Sequence, residues 1–258
     1  MLNPGKRTAL ILTLLGVAFS QAAWAEPVAR ISKKIEGSWH HAIIADLNSG
    51  LVSAEVVHTE QLVSPWKLIG MRQPIAAVTG TFFAWETGRP IAEVLVDGTL
   101  VSQGRRGTAL GIDWNGAASI IDAPFGREID WLPFRFGLRG AVRLVREGVV
   151  SPDPKSQGFR DPRIWGSAPR TGAGLTKHGK LILMATAKPM TLSRFGRAMV
   201  KMGAVDAISL DGGGSTMLYY RGQMVISTRR PLSNLLVVKA GGPIAFRSPS
   251  LAQNQGLW

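Results

Sequence analysis

The residues of this sequence best able to do chemistry are Asp211 and the run that follows it, Gly212-Gly213-Gly214-Ser215-Thr216. Three consecutive glycines lose much conformational freedom on folding. What such a bend offers in return is a set of backbone N–H groups converging on an anion, with the Ser215 and Thr216 hydroxyls as further donors. An aspartate at its start projects a carboxylate into the same crevice as a general base, a nucleophile or an anchor for a sugar hydroxyl. The plainer reading is a tight turn whose aspartate caps backbone N–H groups. No lysine follows the glycines, so the run is not a nucleotide P-loop.

Three other segments carry candidate groups. Pro169-Arg170-Thr171-Gly172 presents an arginine that can fork onto a phosphate or carboxylate, or simply form a surface ion pair. In Thr79-Gly80-Thr81-Phe82-Phe83, small residues beside two aromatics suit a sugar-stacking wall, although phenylalanines more commonly serve the core. Arg230-Pro231-Leu232-Ser233-Asn234 is a polar patch ahead of the last apolar run.

Several chemistries are excluded. The chain has no cysteine, which removes disulfide scaffolds, zinc ribbons, iron–sulfur clusters and thiol nucleophiles. No Gly-x-Ser-x-Gly elbow exists. His40 and His41 are adjacent on a strand and point to opposite faces, so they do not ligate one metal together. A hard divalent cation beside Asp211 is compatible with the sequence, but the ligand set around it is thin. The formal net charge is +13, two units of it from Lys6 and Arg7. Such a balance favours nucleic acid, an anionic polymer or lipid surface, or a phosphate-bearing substrate. No nucleic-acid recognition module accompanies it.

The elements that must position these groups are short. With 30 glycines and 15 prolines in 258 residues, turns are frequent and a helical bundle is ruled out. Apolar runs at 41–47 and 51–57, separated by Asn48-Ser49-Gly50, suggest a hairpin. Asp97-Gly98 between alternating runs predicts another, and Asn115-Gly116 a third. Residues 151–169 are rich in proline, glycine and charge, a long irregular connection of the kind that is mobile or functional. Further runs at 172–176 and 180–187 flank His178-Gly179. Residues 191–202 read as the one clear helix, with Thr191 as N-cap, Leu192, Phe195, Met199 and Met202 on one face, and Gly203 as the stop. Strands are expected at 204–210, 217–220, 223–227 and 235–238. The expected architecture is one α+β domain over residues 26–240, strand-dominated, with a mixed sheet and a few helices packed on it.

Residues 1–25 read as a secretory signal peptide. Lys6 and Arg7 precede an uncharged, mostly apolar stretch, and Ala23-Trp24-Ala25 supplies the small residues of a cleavage site. The mature protein is then periplasmic or secreted, with no stable membrane insertion after cleavage and no nucleic-acid partner. Residues 241–258 read as a loosely held tail.

Taken in order, AVTGTFF (77–83), APRTGAGLTKHGKLILMATA (168–187), AISLDGGGSTMLYYRG (207–222) and RRPLSNLLVV (229–238) resemble the phosphodiester glycosidase family, over roughly Trp39 to Lys239. The resemblance implies hydrolysis of the bond between a sugar's anomeric carbon and a phosphodiester oxygen, in a polymeric or small phosphorylated glycan. A departing phosphate monoester has a second pKa of about 6 and leaves far more readily than an alcohol. Neutralising its charge therefore matters more than protonating it, unlike an ordinary glycosidase with paired carboxylates. On that reading Arg170 and Arg230 bind phosphate, aided by the N–H groups of Gly212, Gly213 and Gly214 and the hydroxyls of Ser215 and Thr216. Asp211 and Arg170 form the catalytic pair. Thr79, Gly80 and Phe83 line the sugar side, with Thr171 and Asn234 as further substrate contacts. One departure from the family pattern is Thr79, where relatives often carry asparagine. Two alternatives remain: a carbohydrate-binding or exopolysaccharide-assembly factor of the same fold without turnover, and a phosphodiesterase that cuts P–O.

Overall fold

The computed structural model describes residues 26–243; the leader reading and nearly all of the tail reading lie outside them. The first half of the chain runs β1 (Val28–Ile35), β2 (Ser38–Ala45), β3 (Val52–Val63), α1 (Pro65–Arg72), β4 (Ala76–Thr79), β5 (Val94–Val96), β6 (Thr99–Ser102), β7 (Thr108–Asp113) and β8 (Ala118–Ile121). The second half runs β9 (Phe134–Arg146), β10 (Val149–Val150), α2 (Pro162–Trp165), β11 (Ala168–Thr176), β12 (Leu181–Met190), α3 (Leu192–Lys201), β13 (Ala204–Ser209), β14 (Leu218–Tyr220), β15 (Gln223–Ile226) and β16 (Leu232–Ala240).

The strands form two sheets. The larger has 11 strands along the path β1-β2-β12-β11-β13-β9-β5-β6, with β7, β8 and β10 joined to it through β9. The smaller has 5, in the order β15-β14-β4-β16-β3. Alternation assigns the faces. Leu181, Leu183 and Ala185 of β12 meet Ala76 and Val78 of β4 and Leu236 and Val238 of β16 in the core between the sheets. Ile182 and Met184 point the other way, under Phe195 and Met199 of α3. On the outer face of the small sheet, Leu68 and Ile69 of α1 cover Ala77, Leu235 and Val237.

Helix α3 forms where the sequence signals it. Thr191 caps it by accepting from the Arg194 N–H at 3.4 Å, and Leu192, Phe195, Met199 and Met202 are all buried. Helix α1, which the sequence reading passed over, starts at a Ser-Pro signal: the Ser64 hydroxyl accepts from the Lys67 N–H at 3.3 Å, with Pro65 in the first turn.

Two expectations need correction. The expected mixed sheet is antiparallel at every pairing among the described residues, which are mostly β with three α-helices. The cause lies in the crossovers. Helix α1 carries the chain from β3 to β4 and α3 from β12 to β13, as parallel neighbours would require. In each case another strand, β16 or β11, is inserted between the two and runs against both. The expected hairpin of 41–47 with 51–57 is also absent. A 3-10 turn, Leu47–Ser49, followed by left-handed Gly50, sends the chain from one sheet to the other, so β2 pairs with β1 and β12 while β3 pairs with β16. The Asp97-Gly98 and Asn115-Gly116 hairpins form as expected.

Candidate active site

The two sheets meet at one end, where β4, β11, β13 and β16 bring the four motifs together. The Asp211 N–H donates to the Gly80 carbonyl at 2.9 Å, and the Gly80 N–H to the Asn234 carbonyl at 3.2 Å. Asn234 then clamps the third motif: its Oδ1 accepts from the Thr81 N–H at 2.7 Å and its Nδ2 donates to the Thr81 carbonyl at 3.2 Å. A Cβ on Gly80 would lie 2.0 Å from Asn234 Oδ1, so only glycine lets these strands approach so closely. The Thr79 hydroxyl donates to the Ser215 carbonyl at 2.5 Å, and the Thr171 hydroxyl to the Asp211 carbonyl.

Above this floor opens a cleft of about 770 Å3. Of the residues singled out from the sequence, Phe83, Arg170, Asp211, Gly212, Gly213, Gly214 and Arg230 line it. Thr79, Gly80, Thr171, Ser215, Thr216 and Asn234 do not; all six lie buried beneath the lining as its support. Both guanidinium groups and the glycine bend therefore face one space. The bend contains a 3-10 turn, Gly213–Ser215, whose leading N–H groups have no partner inside the turn. Arg230 lies against it so closely that a Cβ on Gly214 would be 2.8 Å from its Nη2. Its guanidinium also stacks over Trp85, 5.3 Å from the ring centroid.

Arg170 is 4% exposed. Its Nε donates to the Met190 carbonyl at 2.9 Å, its Nη1 to the Ile164 carbonyl at 2.7 Å and its Nη2 to the Gly166 carbonyl. Burial lowers its pKa to about 10, which leaves it cationic at neutral pH. Every partner is a neutral carbonyl, and two of its five N–H donors remain. Asp211 shows the opposite shift. Burial pushes its carboxyl up to about 7, against the smaller pulls of the Ser215 hydroxyl, Arg230 and the Gly212 N–H. The Ser215 hydroxyl acts on it without a well-aligned hydrogen bond, for the buried Ser215 Oγ and Thr216 Oγ1 have no partner among the described residues. Among those residues no three histidine, aspartate or glutamate side chains converge as a metal would need, at Asp211 or elsewhere.

The sequence reading missed part of the lining. Trp85 lies two positions beyond Phe83 and is 55% exposed, on the cleft. Arg106, Phe159, Arg160, Asp161 and Arg163 also line it. Most of these sit in the 151–169 stretch, whose composition left mobile and functional readings open and did not say which side chains would turn inward.

A phosphodiester glycosidase family profile matches residues 72–239. No curated protein matches the chain in sequence. Among solved structures, the catalytic domain of zebrafish N-acetylglucosamine-1-phosphodiester alpha-N-acetylglucosaminidase, auto-inhibited by its pro-peptide, superposes with a TM-score of 0.68 at 19% identity, over 82% of each chain. A hypothetical protein from Synechocystis superposes with a TM-score of 0.69 at 14% identity, over 84% of this chain and 62% of that one. A Burkholderia pseudomallei protein whose name calls it exported gives 0.56 at 13%, over 78% and 74%.

Proposed function

Because the chain belongs to the phosphodiester glycosidase family, we propose that it is an exported hydrolase that cuts the C1–O bond of a sugar phosphodiester in glycan, cell-envelope or exopolysaccharide material. The observation that carries this reading is a buried arginine with no carboxylate counter-ion among the described residues, Arg170, in one cleft with Arg230, the glycine bend and a carboxyl poised near neutrality. A cation held only by carbonyls gains from an incoming anion more than one already neutralised inside the protein.

In the reaction, the phosphodiester anion sits against Arg230, the remaining N–H donors of Arg170 and the leading N–H groups of the glycine bend. Trp85 and Phe83 offer flat apolar faces to the sugar. A water attacks the anomeric carbon, the C1–O bond breaks, and its electron pair stays on the phosphate oxygen. The products are the free sugar and a phosphomonoester; the proton lost by water goes to Asp211. A pKa of about 7 suits this proton transfer near neutral pH. The leaving phosphate needs donors around its growing charge, not a proton, and the cleft lining holds five arginines against three carboxylates, one of them tied to Arg163. Export is supported by the basic, apolar, small-residue order of residues 1–25.

The test is an assay of the purified protein on sugar-1-phosphodiesters, beginning with N-acetylglucosamine, the sugar in the zebrafish enzyme's name. In 18O-labelled water the isotope should appear on the sugar. Label on phosphate means P–O cleavage, and glycan binding without turnover means a non-catalytic factor. With a good substrate, kcat/KM should rise with pH through an apparent pKa of about 7 as Asp211 ionises, and Asp211→Asn should lower it by roughly 100-fold or more.

A further inference from the structure

The charges lining the cleft exceed what one phosphodiester requires. Arg106, Arg160, Arg163, Arg170 and Arg230 face Glu86, Asp161 and Asp211. A phosphodiester is a monoanion, and the reading above gives it Arg170 and Arg230. Arg163 is spent locally, its Nη2 2.6 Å from Asp161 Oδ2. Arg106 and Arg160 remain, neither in an ion pair among the described residues. They come from distant parts of the sequence but from one wall: the Gly107 N–H, next to Arg106, donates to the Gln157 carbonyl at 3.0 Å, three residues before Arg160. The wall is firm. Gln157 Oε1 accepts from the Thr108 hydroxyl at 3.0 Å and from the Arg143 N–H at 2.9 Å, and buried Phe159 packs on Phe82 with ring centroids 6.0 Å apart. Arg105, one residue earlier, is paired with Glu128 away from the cleft lining, so the neighbouring charge already has its counter-ion while the inward one lacks it.

Arg106 is half-buried and Arg160 exposed on that wall, and an anion held there gains both guanidinium groups as partners. We propose that the substrate carries a second phosphate, a terminal monoester on the aglycone side of the scissile diester, bound by Arg106 and Arg160. This rests on the glycosidase reading and narrows its substrate class. A terminal phosphate carries roughly −1.5 to −2 charges near neutral pH and offers three acceptor oxygens, which match two arginine forks.

The experiment compares two probes with the same sugar 1-phosphodiester, one ending in ethyl and one in 2-phosphoethyl. The protein should prefer the phosphorylated probe by about 10-fold or more in kcat/KM at low salt. In the Arg106→Gln/Arg160→Gln double variant the ratio of the two values should fall to about one. A ratio near one in the unaltered protein, or an undiminished preference in the variant, overturns the inference and leaves the glycosidase reading standing. If neither probe is cut, equilibrium binding decides. Tighter binding of the phosphorylated probe that is lost in the variant supports the second phosphate site while the glycosidase reading fails; equal binding overturns both.

Discussion

Two arginines on long strands of the larger sheet are both removed from water, and the protein treats their charges differently. Arg139 on β9 is 0% exposed and gives Nη1 to both oxygens of Glu93 at 3.0 Å and to the Arg127 carbonyl at 2.8 Å, with Nε on the Gly107 carbonyl at 3.1 Å. Arg170 on β11 is held by the carbonyls of Met190, Ile164 and Gly166 and by no carboxylate. A carboxylate partner consumes the charge inside the fold; a cage of carbonyls fixes the geometry and leaves the charge to act on whatever enters the cleft. Position follows the same division, since Arg170 lines the cleft and Arg139 does not.

Breaking each member separates the two roles. Arg139→Leu leaves the Glu93 carboxylate buried and unpaired, and should cost about 3–5 kcal/mol of stability, read as a lower urea midpoint; adding Glu93→Gln should return part of the loss. Arg170→Gln strands no buried charge. It forfeits hydrogen bonds to carbonyls, at about 1–3 kcal/mol, yet turnover of a sugar phosphodiester should fall by roughly 100-fold or more. Should Arg170→Gln keep its activity and lose stability like Arg139→Leu, the two arginines are the same kind of tie. A gentler discriminator is inorganic phosphate. It should raise the Tm of the unaltered protein by mass action and still do so after Arg139→Leu/Glu93→Gln, but much less after Arg170→Gln.

The same contrast explains what the sequence disclosed. The signals behind Arg170, Asp211, Arg230 and the glycine bend are local: an arginine opening an apolar run, three glycines after a strand, an aspartate between them. Helix α3 and the Asp97-Gly98 hairpin were legible for the same reason, each rule acting within a few residues. Arg139 carries no such signal, because Glu93 is distant along the chain and only the pairing of β5 with β9 joins them. Strand β9 itself went unread, as did β1, whose exposed middle hides its edge position beside β2. Asn234 and Thr79 were legible as polar residues near the site. Which of them would turn inward depended on Asn234 reaching Thr81 across two strands, and no periodicity encodes that. The antiparallel sheets depended on β11 and β16 inserting between strands already joined by a helix, a long-range event invisible to local pattern.

The smallest effect concerns the carboxyl that shares the cleft with Arg170. Its folded pKa of about 7 stands above the ordinary 3.8, so the folded protein holds a proton that the unfolded chain has released. The stabilisation from that protonated form is complete below about pH 4, declines as the pH rises through about 7, and is gone above it. Asp211→Asn keeps the shape without the titration. Its Tm should match the unaltered protein near pH 4 and exceed it by a few degrees at about pH 8. Glu36 supplies the internal control. Arg197 and its neighbours on α3 hold that exposed carboxylate down at about 2, so its contribution is present above about pH 4.5 and fades only as the pH falls towards 2. If the Tm difference between the Asp211→Asn variant and the unaltered protein is flat from about pH 4 to about pH 8, Asp211 ionises like a surface carboxylate. It is then no proton acceptor tuned to neutrality, and the charge left open by Arg170 must act without it.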